Sequence, residues 1–435
     1  MSLQKSLEGF LCDCVRKSFE REKPLVIAVA GSVGKTSTRA AIGVALGAGE
    51  AGSRVIASPK NYNNEIGLPS TVFGCKAPGR SVFAWIELLG KAWLTRVGLR
   101  GLLAETFVLE MGTDHPGDIA YLTSVARPHV SVLTAIGAEH TEFFGTLEAV
   151  AGEEGMVLRA LPDDGVAVVN ADDTLVQLIV HDATYRVLSF GAAVEANARL
   201  VGTRMAIDAQ NPSSSGLEIQ LSQLGFSWNV RLTGTVGRPQ AYAVAAAMAV
   251  VHALDGDEPH AIQRLEQNFH GMPGRMRLIE GIKHSWLIDD SYNSSPLAAF
   301  SALQDLASFP LAEGARRIAA MGDMLELGPL AESSHQDVGR LVAEKGIDML
   351  VTCGTLAHIM ADAAKAAGMP EERIFTFSES REAGRFIQSR LMPQDVVLIK
   401  GSQGARMERI AKELMADPLK AEELLVRHSP DWLAR

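Results

Sequence analysis

Leu25-Val-Ile-Ala-Val-Ala-Gly-Ser-Val-Gly-Lys-Thr-Ser37 decides the fold. Six apolar residues ending in glycine read as a buried strand that runs into a Gly-rich turn and then a helix. Backbone amides in such a loop, with a helix N-terminus behind them, form a cradle for phosphate. Lys35 supplies the cation for the β- and γ-phosphates, and Thr36 offers a hydroxyl to Mg²⁺. The common P-loop has its first glycine five residues before the Gly-Lys pair; here that position is Val29, so the loop is a shortened variant. Gly31, Ser32, Val33, Gly34, Lys35, Thr36 and Ser37 are therefore expected to hold a nucleotide.

Outward from this stretch, apolar strands alternate with helical segments, which predicts an α/β fold with mainly parallel sheets. Thr106–Glu110, Val130–Thr134 and Val166–Asn170 read as further strands, each ending in polar residues where open α/β sheets place ligands. Residues 190–233 become short and two-faced around Asn211-Pro-Ser-Ser-Ser-Gly216, a small antiparallel excursion. Gly237–Leu254 is an Ala-rich helix. A second α/β unit opens near Trp286–Asp290 and continues with Arg317–Met321, Met349–Cys353 and Val396–Lys400. The expected division is an N-terminal amphipathic helix (1–23), a central P-loop ATPase-type domain (24–275) and a C-terminal Rossmann-like domain (276–435).

The formal net charge of -10 excludes a global basic field of the kind that holds nucleic acid. Cys12, Cys14, Cys75 and Cys353 form neither a redox motif nor a specific zinc half-site, and read as reduced thiols of a cytoplasmic protein. The N-terminus lacks signal-peptide character. One further helix, Val82–Leu94, is apolar and flanked by Lys76, Arg80, Lys91, Arg96 and Arg100. It reads either as a packed core or lid helix, or as an interfacial helix for a membrane surface or a protein partner.

Several blocks in one order carry a family resemblance. They are the shortened loop, Asn61-Tyr-Asn-Asn-Glu-Ile-Gly-Leu-Pro69, Glu110-Met-Gly-Thr-Asp-His-Pro-Gly-Asp118 and Ile136-Gly-Ala-Glu-His-Thr-Glu142. Pro273-Gly-Arg275, Asp289-Asp-Ser-Tyr-Asn-Ser-Ser-Pro296, Gly322-Asp-Met-Leu-Glu-Leu-Gly328 and Lys400-Gly-Ser402 follow. From about residue 24 to 412 the chain resembles the Mur ligases of peptidoglycan synthesis, in the branch that adds D-alanyl-D-alanine to a UDP-N-acetylmuramoyl-tripeptide. The resemblance implies ATP-dependent amide-bond formation through an acyl phosphate, with ATP and Mg²⁺. It implies that Thr36 and Glu110 hold one Mg²⁺, that His140 helps hold a second, and that Arg275 reaches the phosphates. It further implies that Asp290 and Asn293 act in the adenosine and phosphate region after domain closure, and that Asn63, Asn64 and Glu65 meet substrate. Lys400 is either a substrate contact or an ordinary strand-end cation.

The pattern also departs from the family. Only 23 residues precede Pro24, where the branch carries a UDP-binding domain, and the segment from Pro69 to Glu110 is long. The family's G-R-H-N-x-x-N-A is reduced to Gly237-Arg-Pro-Gln-Ala-Tyr-Ala-Val244, which puts Ala243 at the asparagine associated with adenine. The lysine that the family carbamylates aligns with Glu154 in Val150-Ala-Gly-Glu-Glu-Gly-Met156. Glu154 then either replaces the carbamate at the metal, directly or through water, or is a solvated helix-surface residue. The same chemistry on another carboxylate and amine, as in folylpolyglutamate synthases or cyanophycin synthetases, and a non-catalytic ATP-binding protein are the alternative readings.

Overall fold

The computed structural model describes residues 3–59, 62–139, 141–223, 225–428 and Trp432. The expected α/β architecture is present, with one sheet in each half of the chain.

Among the described residues the first sheet has the strand order β2-β3-β1-β4-β5-β6-β7-β8-β9. Its strands are β1 (Leu25–Ala30), β2 (Val55–Ala57), β3 (Thr106–Glu110), β4 (Val130–Leu133), β5 (Val166–Asn170), β6 (Arg186–Gly191), β7 (Ala198–Ala206), β8 (Gly216–Gln223) and β9 (Phe226–Thr233). Neighbours from β2 to β7 run parallel; β7-β8 and β8-β9 are antiparallel. The antiparallel segment is thus a continuation of the main sheet rather than a separate excursion, because β7 pairs with β6 through Phe190 and Gly191.

Strand alternation explains why β1 is apolar throughout. Ile27 and Val29 point into one core and Val26, Ala28 and Ala30 into the other, so both faces are covered. The first face is closed by α2 (Lys35–Ala45), which packs on the later helix Arg238–Ala253. That helix is buried nearly all round, and its alanines allow close approach to α2 and to β6 and β7. The second face is closed by α1 (Leu3–Glu22), α3 (Gly67–Phe73), α4 (Val82–Arg96) and α5 (Asp118–Val125). Short helices α6 (Thr141–Phe144), α7 (Leu147–Glu154) and α8 (Met156–Arg159) follow β4, and α9 (Thr174–Val180) follows β5. The Ala-rich helix is α10 (Arg238–Ala253), succeeded by α11 (Glu258–Asn268).

The second sheet has the order β10-β11-β15-β12-β13-β14, built from β10 (Arg277–Glu280), β11 (Trp286–Asp290), β12 (Arg317–Gly322), β13 (Met349–Cys353), β14 (Ile374–Phe377) and β15 (Val396–Lys400). Only β10-β11 is antiparallel. Helix α12 (Pro296–Ser308) follows β11 and leans against α10, so the two halves share an interface beside the phosphate loop. No helix among the described residues is long and apolar enough to cross a membrane. The four cysteines are free thiols.

Candidate active site

Parallel pairing brings the C-terminal ends of β1, β3, β4 and β5 to one edge, and the Gly-rich loop leaves β1 there. Two glycines make the loop possible. A Cβ at Gly31 would lie 2.3 Å from Thr134 Oγ1, and Gly34 has φ +99°. Ser32 N–H donates to the Ala135 carbonyl at 2.7 Å, which ties the loop to the end of β4.

Lys35 is folded over its own loop. Its ammonium donates to the carbonyls of Gly31 and, at 3.2 Å, Ser32. It lies 3.8 Å from both Glu139 Oε2 and Glu154 Oε1. Burial works against the Lys35 cation, yet Glu154, Glu139 and Glu110 together hold its pKa above the ordinary lysine value. Glu154 sits on α7, is 2% exposed, and accepts a 2.6 Å hydrogen bond from Gly31 N–H. Burial raises its pKa, with Lys35 and the Gly31 amide pulling the other way. The solvated-surface reading of Glu154 is therefore corrected. Its neighbour Glu153 is also committed, accepting from Gly117 N–H and Ile119 N–H at 2.8 Å at the start of α5.

Glu110 ends β3 opposite Val29. Its Oε1 accepts from Thr36 Oγ1 at 3.1 Å. Its Oε2 lies 3.6 Å from Arg39 Nε and is buried without a hydrogen-bond partner. Arg39, on the next turn of α2, is 4% exposed. Sequence reading missed it. Its signal was a cation four residues after Lys35, on the helix that starts at the loop.

A cleft of about 650 Å³ opens in front of these groups. Ser32, Gly34, Lys35, Thr36 and Glu110 form one wall, and Asn63, Asn64 and Glu65 another. Asn63 O accepts from Gly112 N–H at 3.0 Å, which binds this segment to the end of β3. The Asn64 side chain is spent locally, accepting from Gly67 N–H at 2.9 Å where α3 begins. His140, like Asn61 of the preceding block, lies outside the described residues. Glu139 beside it is in the cleft and was missed, although the same block carries it.

The second half of the chain supplies the opposite wall. Asn293 Nδ2 donates to Glu139 Oε1 at 3.1 Å. The Arg275 guanidinium lies 4.2 Å over the Tyr292 ring. Gln240 Nε2 donates to the Arg275 carbonyl at 2.8 Å and approaches Ser37 Oγ at 3.4 Å, linking α10, the junction and the loop helix. Thr141 Oγ1 donates to Leu327 O at 3.1 Å, so the 136–142 and 322–328 blocks meet across the interface.

Lys400 is 2% exposed and does not line the large cleft. Its ammonium donates to Asp290 Oδ2 at 2.6 Å and to Asn293 O at 3.0 Å. It orients the 290–293 turn from behind. Asp290 Oδ1 in turn accepts from Met276 N–H at 3.2 Å.

A second cavity of about 560 Å³ lies on the other side of the loop, touching Val33, Thr134, Asn170, Arg238, Tyr242 and Phe300. Tyr242 OH donates to Asp172 Oδ2 at 2.8 Å. Ala243 is 1% exposed and faces the core, not this cavity.

Comparison with known proteins agrees with this architecture. The Mur ligase middle domain model matches residues 99–251, and the model described as Mur ligase, glutamate ligase domain matches residues 274–403. The UDP-N-acetylmuramoyl-tripeptide–D-alanyl-D-alanine ligase of Bacillus subtilis is 28% identical over 399 residues, covering 91% of this chain and 76% of that protein. The Escherichia coli protein of the same name is 29% identical over 397 residues, covering 89% and 76%. A crystal structure of MurF from Acinetobacter baumannii superposes with a TM-score of 0.75 at 25% identity, covering 96% of this chain and 81% of that one. MurF of Thermotoga maritima in complex with ADP shares the fold at 24% identity and a TM-score of 0.74, with 93% and 83% covered. With a phosphate loop facing a second α/β domain across a polar cleft, and both domain models matched in order, the chain belongs to the Mur ligase family.

Proposed function

We propose that this chain is an ATP-dependent ligase that joins D-alanyl-D-alanine to a UDP-N-acetylmuramoyl-tripeptide in the cytoplasm, releasing ADP and phosphate. One observation carries the reading: the phosphate loop with Lys35, Thr36 and Glu110 faces Arg275 and Asn293 across a single polar cleft of about 650 Å³. That volume is in the range of small-molecule sites. The relatives named for this reaction supply the substrate pair.

The reaction needs a substrate carboxylate to attack the γ-phosphorus of ATP, with ADP leaving. The incoming amine then attacks the acyl carbon, and phosphate leaves. The protein's task is to bring several anions together and hold them in line. Lys35 and Arg275 offset the negative charge of the transferred group, the first from the loop and the second from the domain junction. The loop amides of residues 31–37 cradle the phosphates, and the cavity beside Asn170 and Tyr242 has room for the nucleoside. Asn63, Asn64 and Glu65 form the wall for acid and amine. Asp290 and Asn293 close the phosphate region from the second domain, with Lys400 fixing their turn. The 24–275 and 276–435 division is supported by the start of the second sheet at Arg277.

The donor set suits magnesium. Thr36 Oγ1 and Glu110 Oε2, which is buried beside Arg39 without a hydrogen bond, are hard oxygen ligands, and Mg²⁺ needs few protein ligands because it retains waters. Thr36 and Glu110 would hold the first ion, and His140 and Glu154 a second. When bound, Mg²⁺ neutralises phosphate charge.

The test is phosphate release with purified protein, ATP, UDP-N-acetylmuramoyl-tripeptide and D-alanyl-D-alanine. Release should require both the acid and the amine. No release with this pair, but release with a folate and glutamate, would transfer the chemistry to another substrate class. ATP binding with no turnover on any acid–amine pair would leave a nucleotide-binding protein.

A further inference from the structure

Helix α4 is covered on one side only. Leu88, Ala92 and Thr95 are buried, and the helix packs on α1 and α3. The other side carries Val82, Phe83, Ile86, Trp93, Leu94 and Val97, the last just past the helix end, which are 37–84% exposed. At 3.6 residues per turn these six fall in one arc of about 120°. A stripe of that width normally faces a core. Here it faces outward, and a contiguous apolar surface of this kind marks an interaction site.

The charge around the stripe identifies what it meets. Residues 76–100 hold five basic residues and one acidic residue, within a chain of net charge -10. Lys76 and Arg80 are exposed before the helix, and Arg96 and Arg100 lie at and beyond its end. Glu87 neutralises Lys91 at 2.5 Å, and Asp13 holds Arg96 at 3.0 Å. Among the described residues, Lys76, Arg80 and Arg100 form no ion pair, and Arg100 donates to the Phe73 carbonyl at 3.2 Å. The pattern is an apolar stripe framed by cations at both ends, with a tryptophan on the stripe.

We propose that α4 seats this protein on the surface of an anionic phospholipid bilayer. The stripe would lie in the plane of the interface with its side chains among the upper acyl carbons. The flanking cations would meet lipid phosphates, and Trp93 would sit at headgroup level. The helix does not cross the bilayer; it is 15 residues long and one side of it is packed on the domain. A second copy of the chain covers the stripe less well, because it would bring two like-charged frames together. The inference does not depend on which acid and amine the cleft accepts.

Vesicle flotation of the full chain tests this, using phosphatidylcholine vesicles with and without phosphatidylglycerol. The protein should float with the anionic vesicles at low salt and much less at high salt. Phe83→Ser, Ile86→Ser and Trp93→Ser combined should abolish flotation while melting temperature and phosphate release in solution stay unchanged. Lys76→Gln and Arg80→Gln should each weaken binding about fivefold. No flotation with anionic vesicles at low salt overturns the proposal. So does flotation that survives the triple replacement. A lipid-independent dimer that the triple replacement dissociates would assign the stripe to a second copy instead.

Discussion

The carboxylate of Glu154 accepts a 2.6 Å hydrogen bond from the amide of Gly31, the first residue of the phosphate loop. Its other oxygen lies 3.8 Å from the Lys35 ammonium. A side chain from α7 thus fixes both the backbone and the cation of the loop. Glu154→Gln keeps the shape and an acceptor for Gly31 but removes the charge. It should lower kcat about tenfold or more, roughly 1.4 kcal/mol of barrier, while nucleotide still binds. Wild-type activity should be indifferent to bicarbonate in CO₂-depleted buffer. Full activity of the Gln variant would sink the assignment, and bicarbonate stimulation would show that a lysine elsewhere supplies the anion.

Lys35→Ala removes the cation of the loop and leaves the strand and helix cores alone. Phosphate release should fall by about two orders of magnitude or more, the scale of losing a preorganised electrostatic contact to the transferred group. Circular dichroism should show a folded protein. Turnover near the wild-type level would refute the placement of the phosphates.

Arg39 and Glu110 form a buried pair at 3.6 Å under the loop. Burial lowers the Arg39 pKa, and Glu110 opposes that shift. Arg39→Met should cost about 3–5 kcal/mol of stability, because it strands a buried carboxylate. Glu110→Gln made in the Arg39→Met background should cost less than Glu110→Gln alone, with a coupling of about 1 kcal/mol or more. Denaturant unfolding of the four proteins measures this, and strict additivity would show that the two groups do not interact.

Asp305 of α12 is buried at the start of α10, where it accepts from Arg238 N–H at 3.1 Å. Burial pushes its pKa up to about 7, against the pull of Arg238. A carboxyl raised in the folded state contributes stability that is present below its unfolded value near 4 and lost as pH rises through 7. Asp305→Asn should therefore match wild type near pH 4 and melt higher at pH 8, by about 2–4 °C for each kcal/mol recovered. A difference in melting temperature that stays flat across this range would show that the helix end keeps Asp305 ionised.

The phosphate loop, the parallel strands and the order of the motif blocks were legible from the residues because each rests on local chemistry. A run such as Leu25–Ala30 buries both faces whatever surrounds it, and Gly31 and Gly34 are needed by the turn itself. Strands β2 and β14 escaped that reading because they are short edge strands, half-exposed, with no alternation to mark them. Which polar residues become functional was decided by tertiary structure. Glu153 and Glu154 are adjacent and chemically identical, yet one caps α5 and the other reaches the loop, because the axis of α7 aims successive side chains at different neighbours. Arg39 became a partner of Glu110 only when β3 paired with β1 and carried that carboxylate over α2. Lys400 turned away from the large cleft because its register opposite Asp290 in the second sheet gave it a buried carboxylate at 2.6 Å. Apolar composition marked α4 as a helix that is either packed or interfacial; only the packing of α1 and α3 on one side showed that its other side faces outward.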